Sequence, residues 1–191
     1  MSIHILVDSG VLARSRFASS PAVEVMGTVR RRRQGGSAVP GAVEHTVRWN
    51  QRAAERMDPS ALRLLHALVP VDHDYTPVFL TPRPTGTRLT IDDVAEAIAT
   101  TPEEIVEYHL DIGLDGRAVR PEVVAQFASE EAYRRWRRPI PRDLAPFVAA
   151  GPRALAEEAA RAIELFHRRA IADDWPLVCS CSRRTSPSGE R

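Results

Sequence analysis

The chain has 191 residues, with 26 basic and 25 acidic side chains, and every basic residue is Arg; at 43% hydrophobic and 27% charged it has the balance of an ordinary globular protein. A chain of this length buries roughly 70% of its unfolded surface without disulfide staples, and Cys179 and Cys181, its two cysteines, make no disulfide framework. Its apolar runs fall far short of the ~20 residues that span a bilayer, and Met1–Asp8 lacks both a basic leader and a sustained apolar stretch, so neither a membrane segment nor a signal peptide is expected and the cytoplasm is the default compartment. The net charge of +1 hides an asymmetry: residues 1–60 carry 9 Arg against 5 acids, residues 89–133 carry 2 Arg against 11, and residues 134–191 carry 12 Arg against 7. Two basic segments around an acidic middle neutralise one another more readily than they build a nucleic-acid surface.

In chain order, Ile3, Ile5 and Val7 alternate with His4 and Leu6 as a short N-terminal strand would. Ser19-Ser20-Pro21 is a helix start, with a Ser cap and Pro at the first helical position. Glu24 sits in the first turn, Val23, Met26 and Val29 are at helical spacing, and Arg30–Arg33 suits the last turns. Gln34-Gly35-Gly36 ends that helix. Further helices are expected over Val43–Arg56, stopped by Asp58-Pro59, and over Ala61–Leu68, with Leu62, Leu65 and Leu68 on one face. Pro70, Pro77, Pro82 and Pro84 exclude a long helix, so this stretch reads as an extended segment pinned by Tyr75 and Phe79.

Thr90-Ile91-Asp92-Asp93 and Thr101-Pro102-Glu103-Glu104 both have the form of capping boxes, opening helices over Ile91–Ala99 and Pro102–Asp111. Asp115-Gly116 is a turn, Pro121 starts a helical stretch, and Ser129–Arg138 is helical until Pro139 and Pro141. The strongest pattern is Pro152 to Trp175, where Leu155, Ala159, Ala162, Ile163, Phe166, Ala170 and Ile171 form one stripe and Pro176 is expected to close the helix. Residues 178–191 have no apolar periodicity and read as a disordered tail beyond a helical domain of residues 1–177.

Four patterns offer chemistry. Leu89–Leu110 has the outline of a helix-turn-helix, whose second helix would enter the major groove N-terminus first. That end presents Thr101, Pro102, Glu103, Glu104 and Glu107, acids where phosphates require cations. Two capped helices on an acidic face is the preferred reading. Arg30–Arg33 could neutralise phosphates but reads as a solvated helix end. His66, Asp72, His73 and Asp74 are metal-accepting types at a spacing that matches no helical ligand pair. Cys179-Ser180-Cys181 would suit a soft metal but has no third Cys beside it. Gly-rich phosphate loops, nucleophile elbows and H-E-x-x-H motifs are missing, so no catalytic site, metal or cofactor is expected, and the chain does not read as an enzyme.

Leu12-Ala-Arg-Ser-Arg-Phe-Ala-Ser-Ser-Pro21, followed by Glu24, resembles the "LARxRFAxSPxxE" opening of a group of ArsR-type winged helix-turn-helix transcriptional regulators from G+C-rich bacteria. Leu65-His-Ala-Leu-Val-Pro70 with Tyr75-Thr-Pro-Val-Phe-Leu-Thr-Pro82 is similar to its "LRALVP…YxPxFLTPP" stretch, Ala99-Thr-Thr-Pro-Glu-Glu104 to its "ATPPE" helix start, and Phe166–Pro176 to its "YWERAIAPHWP" helix. The resemblance covers about residues 1–177. It implies the mainly α N-terminal domain of such a regulator, serving effector sensing or homodimerisation, in a product truncated before the winged helix that reads DNA. It assigns no DNA-binding or effector-binding residues to this chain. The alternative is a stand-alone protein-interaction module without DNA binding or catalysis.

Overall fold

The structure, a computed structural model, describes residues 19–31, 42–70, 73, 75–84 and 89–184. They are mainly helical, as expected, with no strand or sheet among them. The expected strand at Ile3–Val7, the Leu12–Ala18 segment, Arg32, Arg33, Asp72 and Asp74 lie outside the described residues.

Helix α1 (Pro21–Arg31) opens with Pro at its first position, carries Glu24 in its first turn and Arg30 and Arg31 in its last. Its buried stripe is Ala22, Val25, Met26 and Val29, whereas Val23 is exposed. Of the expected Val23–Met26–Val29 face, Met26 and Val29 are buried, and only Val23 is displaced, with Ala22 and Val25 meeting the core in its place. Ser20 lends its carbonyl to Glu24 N–H at 3.2 Å, but its buried hydroxyl has no partner among the described residues, so the expected side-chain cap is absent. Helix α2 (Ala42–Arg56) buries Thr46, Trp49 and Ala53, and Met57 follows on the same side. Helix α3 (Pro59–Leu68) starts on an Asp58 cap, which accepts from Ser60 N–H at 2.7 Å; burial there moves onto Leu64, Leu65, Ala67 and Leu68, with Leu62 half-buried.

The Pro-rich segment has one 3-10 turn, Val78–Leu80, which drives Phe79 and Leu80 into the core. Helix α4 (Ile91–Ala99) has the full capping box: Asp93 N–H donates to Thr90 Oγ1 at 3.1 Å and Thr90 N–H to Asp93 Oδ2 at 2.9 Å. The second expected box does not form. Helix α5 runs Glu103–Gly113 with Pro102 at its cap, and the Thr101 hydroxyl turns back to the Ala97 carbonyl at 3.0 Å. Pro102 at the cap position has no side-chain acceptor to offer.

Two short helices follow, α6 (Pro121–Val124) and α7 (Glu130–Trp136). Ser129 caps α7, accepting from Ala132 N–H at 3.1 Å, and the helix stops before Pro139, whose ring disfavours helical backbone in the residue ahead of it. Leu114 and Arg138 form an isolated parallel bridge, with Arg138 N–H on the Gly113 carbonyl at 3.1 Å and Asp115 N–H on the Arg138 carbonyl at 2.7 Å. Helix α8 (Ala145–Ala150) has no buried residue and no periodic signal of its own. Gly151, at φ 103°, ends it and admits α9 (Pro152–Phe166).

Helix α9 is the axis of the main core. All seven stripe residues from Leu155 to Ile171 are buried, and α9 packs against α4, α3, α8 and α5. Its neighbour α4 runs antiparallel: Arg168 pairs with Asp92 at 2.5 Å at one end, and Ala99 faces Glu157 across a groove at the other. A second, smaller core gathers Ile112, Val123 and Tyr133 with Tyr75, Tyr108, Phe127 and Trp136 around it.

The expected single helix to Trp175 is interrupted. Beyond Phe166 come a π turn (His167–Ile171), a 3-10 turn (Ala172–Asp174) and helix α10 (Trp175–Arg184). Pro176 opens α10 rather than closing α9, because in a first turn its missing N–H has no helical partner to lose. Residues 178–184 are therefore helical, against the expected tail beginning at 178, and Val178 packs on the main core. No helix among the described residues is long and apolar enough to cross a membrane.

Candidate functional site

The densest long-range polar contacts converge where α9 gives way to α10. Arg48, Arg52 and Arg56 recur every four residues on α2, so they share one face beside the Trp49–Ala53 core face. Asp174 Oδ2 accepts from Trp49 Nε1 at 2.8 Å, Arg52 Nη1 at 3.0 Å and Arg48 Nη2 at 3.3 Å. Arg52 Nη1 also donates to the Ala170 carbonyl at 3.2 Å, and Arg56 Nη1 to the Arg169 carbonyl at 3.4 Å. Two arginines of α2 thus hold backbone carbonyls of the π turn, and Asp174 fixes the next turn. The Trp49 hydrogen bond, followed by the Arg52 and Arg48 charges, holds the Asp174 carboxyl below its ordinary value. The arrangement can set the direction in which α10 leaves the body.

His167 lies under this joint, 5% exposed. Neither ring nitrogen has a hydrogen-bond partner among the described residues. Its ring meets Trp175 edge-on at 5.1 Å between centroids. Burial, aided by the neighbouring Arg168 charge and opposed by Asp92, pushes its pKa down to about 4, so it is neutral at pH 7.

A second polar pair sits near the Leu114–Arg138 bridge. Tyr75 Oη and His109 Nδ1 share a hydrogen bond at 2.5 Å; burial raises the Tyr75 pKa and lowers that of His109, keeping both neutral. The adjoining cavity, between Leu68, Leu110 and Leu144, measures about 10 Å³, the room of a single water rather than of a small-molecule ligand. Behind it, buried Asp111 accepts from Arg117 Nε at 2.8 Å and Arg120 Nε at 3.0 Å. Tyr133 Oη donates toward the Asp111 and Ile112 carbonyls, each at 3.1 Å. This network ties α5 to α7 and to the loop before α6.

The structure keeps the sequence candidates apart. In the α4–α5 pair, Pro102, Glu103, Glu104 and Glu107 are exposed, and these three acids have no ion pair among the described residues. Arg30 and Arg31 end α1 as a helix-terminal pair. His73 Nε2 bonds the Trp136 carbonyl at 2.9 Å, while His66 lies on α3. No group of three or more His, Cys, Asp or Glu among the described residues is placed to hold a metal. Cys179 is a half-buried free thiol on α10, and the Cys181 side chain lies outside the described residues.

The sequence does not single out Asp174, Trp49 or His167 as site residues. The four-residue recurrence of Arg48, Arg52 and Arg56 was a legible sign of a basic helix face, but it does not name a partner 122 residues away. His167 had no signal, since a stripe of period 3.6 does not foretell a π turn. Comparison of the chain with protein-family models, with curated proteins and with solved structures found no match.

Proposed function

We propose that this chain is the N-terminal helical domain of an ArsR-type transcriptional regulator, a sensing or dimerisation body whose DNA reader is a winged helix outside these residues. The observation that carries the reading is the joint: Asp174 and the carbonyls of Arg169 and Ala170 are gripped by α2 at the point where α10 departs. A change in the body is then transmitted to whatever follows α10, the physical requirement for coupling two sites. The sequence resemblance supplies the family. The acidic start of α5 supports a reader located elsewhere, since counterion release requires cations at the phosphates.

A gel-shift titration with promoter DNA against scrambled duplex, at physiological salt, tests this. The 191-residue chain binds weakly and without preference, because Arg30–Arg33 can neutralise about four phosphates at most, and each contributes a salt slope of about −0.9. The same chain joined to an ArsR-type winged helix binds selectively. Submicromolar, selective binding by the 191-residue chain overturns the reading and makes α4–α5 the reader.

One observation favours the second reading, a protein-interaction module. Ile105 is 43% exposed among Glu103, Glu104 and Glu107, an apolar point in an acidic face. Under that reading the winged-helix fusion gains no selectivity from the body, and a basic protein partner binds the α5 face in a salt-dependent way.

A further inference from the structure

His167 opens the π turn with a buried ring whose two nitrogens have no hydrogen-bond partner among the described residues. Burying a polar group without a partner is unfavourable, and an apolar side chain of similar volume is at least as stable in such a place. Stability therefore does not account for an imidazole here. Its position is specific: it lies in a turn type that recurs at functional sites, its ring packs on Trp175, the first residue of α10, and Asp174, the anchor of the joint, is the last residue of the 3-10 turn, immediately before that Trp. An imidazolium formed in this spot would be a charge in an apolar setting with no acceptor at hand.

We propose that His167 is the proton sensor of the α9–α10 joint, and that its protonation opens the π turn and frees α10 from the body. This deepens the reading of the joint as a coupling element and rests on it. The charges around the ring do not compensate a proton. Arg168, on the same turn, opposes it, and Asp92 from α4 favours it but is already engaged by Arg168, as is Glu164 of α9. From α2 come Arg48, Arg52 and Arg56, all cationic and directed at Asp174, Asp173 and the turn carbonyls. Helix α1 contributes its apolar face of Ala22, Val25, Met26 and Val29.

The sign follows from the depressed pKa. The closed joint favours neutral His167, so it binds fewer protons than the open one. Its stability is complete above the ordinary value of 6.5 and declines as pH falls from there toward the closed-state value of about 4. At pH 5 the closed-to-open ratio is lower than at pH 8 by about thirtyfold.

Amide hydrogen exchange on the full chain, corrected for intrinsic rates and followed by mass spectrometry, tests this. Between pH 7.5 and 5 the protection of residues 167–179 falls by about thirtyfold, while that of α4 holds. In His167→Leu, which keeps the volume and cannot titrate, protection of 167–179 is independent of pH. His167→Gln, neutral and polar, carries the same test if the Leu variant does not fold. Unchanged protection in the wild type, an equal loss in α4, or the same pH response in either variant overturns the proposal. DNA selectivity does not enter this measurement, so its outcome is separate from that of the gel shift.

Discussion

Trp49 donates its indole N–H to Asp174 Oδ2 at 2.8 Å across 125 residues of chain. One carboxylate oxygen thereby joins the core face of α2 to the turn ahead of α10, and it does so beside two guanidinium groups. The indole is buried, so water does not replace this acceptor at no cost.

Asp174→Ala leaves the Trp49 N–H unsatisfied and is expected to destabilise the chain by about 2–3 kcal/mol, in the range for a buried donor with charged neighbours. Asp174→Asn, which retains an acceptor, costs less. Urea unfolding measures both, and equal midpoints for wild type and Asp174→Ala would show that the clamp contributes nothing. The pH dependence has the carboxylate sign. The Asp174 pKa is lowered on folding, so its contribution is full above the ordinary value of 3.8 and is lost as pH falls through the lower folded value.

Removing residues 178–191 is expected to lower the melting temperature. Val178 packs against the main core and α10 extends to Arg184, so the deletion cuts a helix and uncovers apolar surface. A loss of about 1 kcal/mol corresponds to roughly 2–4 °C at this chain length. A melting curve superimposable on that of the full chain would mean that α10 is thermodynamically idle.

Gly113→Ala is expected to cost about 1–3 kcal/mol, the usual range for overpacking. A Cβ there would stand 2.9 Å from Tyr75 Cδ1 and 3.3 Å from Cε1, so the ring must shift, and the shift strains the Tyr75–His109 bond. The steric origin is checked with Tyr75→Ala: in that background the added methyl is tolerated. An equally large cost in both backgrounds would place the problem in the α5 backbone.

The two threonines Thr90 and Thr101, which lie beyond opposite ends of α4, should respond unequally. Thr90→Ala removes the acceptor of the Asp93 N–H and the capping box, a change typically worth about 1 kcal/mol. Thr101→Ala removes only a hydroxyl bonded back to the Ala97 carbonyl and stays within about 0.5 kcal/mol. Thermal melts of the two variants distinguish them, and the reverse order would contradict the caps as described.

Phe166→Ala, at the fully buried end of the α9 stripe, is expected to cost about 3–5 kcal/mol. Trp175, half-buried against His167, should cost less on the same substitution. Equilibrium unfolding of the two variants gives the comparison.

Local chemistry alone determined much of this protein. Thr90 with Asp93, Ser129, and Pro21 announced helix starts in the sequence because caps and first-turn prolines act within four residues. The Leu155–Ile171 stripe announced the central helix because its period is a property of one segment. What depended on distant partners was not legible. Ala22 rather than Val23 faces the core because of how α1 meets its neighbours. Thr101 abandons its expected cap because an Ala97 carbonyl lies nearby and Pro102 holds the cap position. The interruption of the long helix belongs to the same class. From Phe166 onward the sequence continues a helical pattern, but Arg52, Arg56 and Asp174 bind across more than a hundred residues, and such contacts exist only once α2 has docked. Tertiary structure alone decided that the end of the stripe is a joint, and that His167 is sealed inside it.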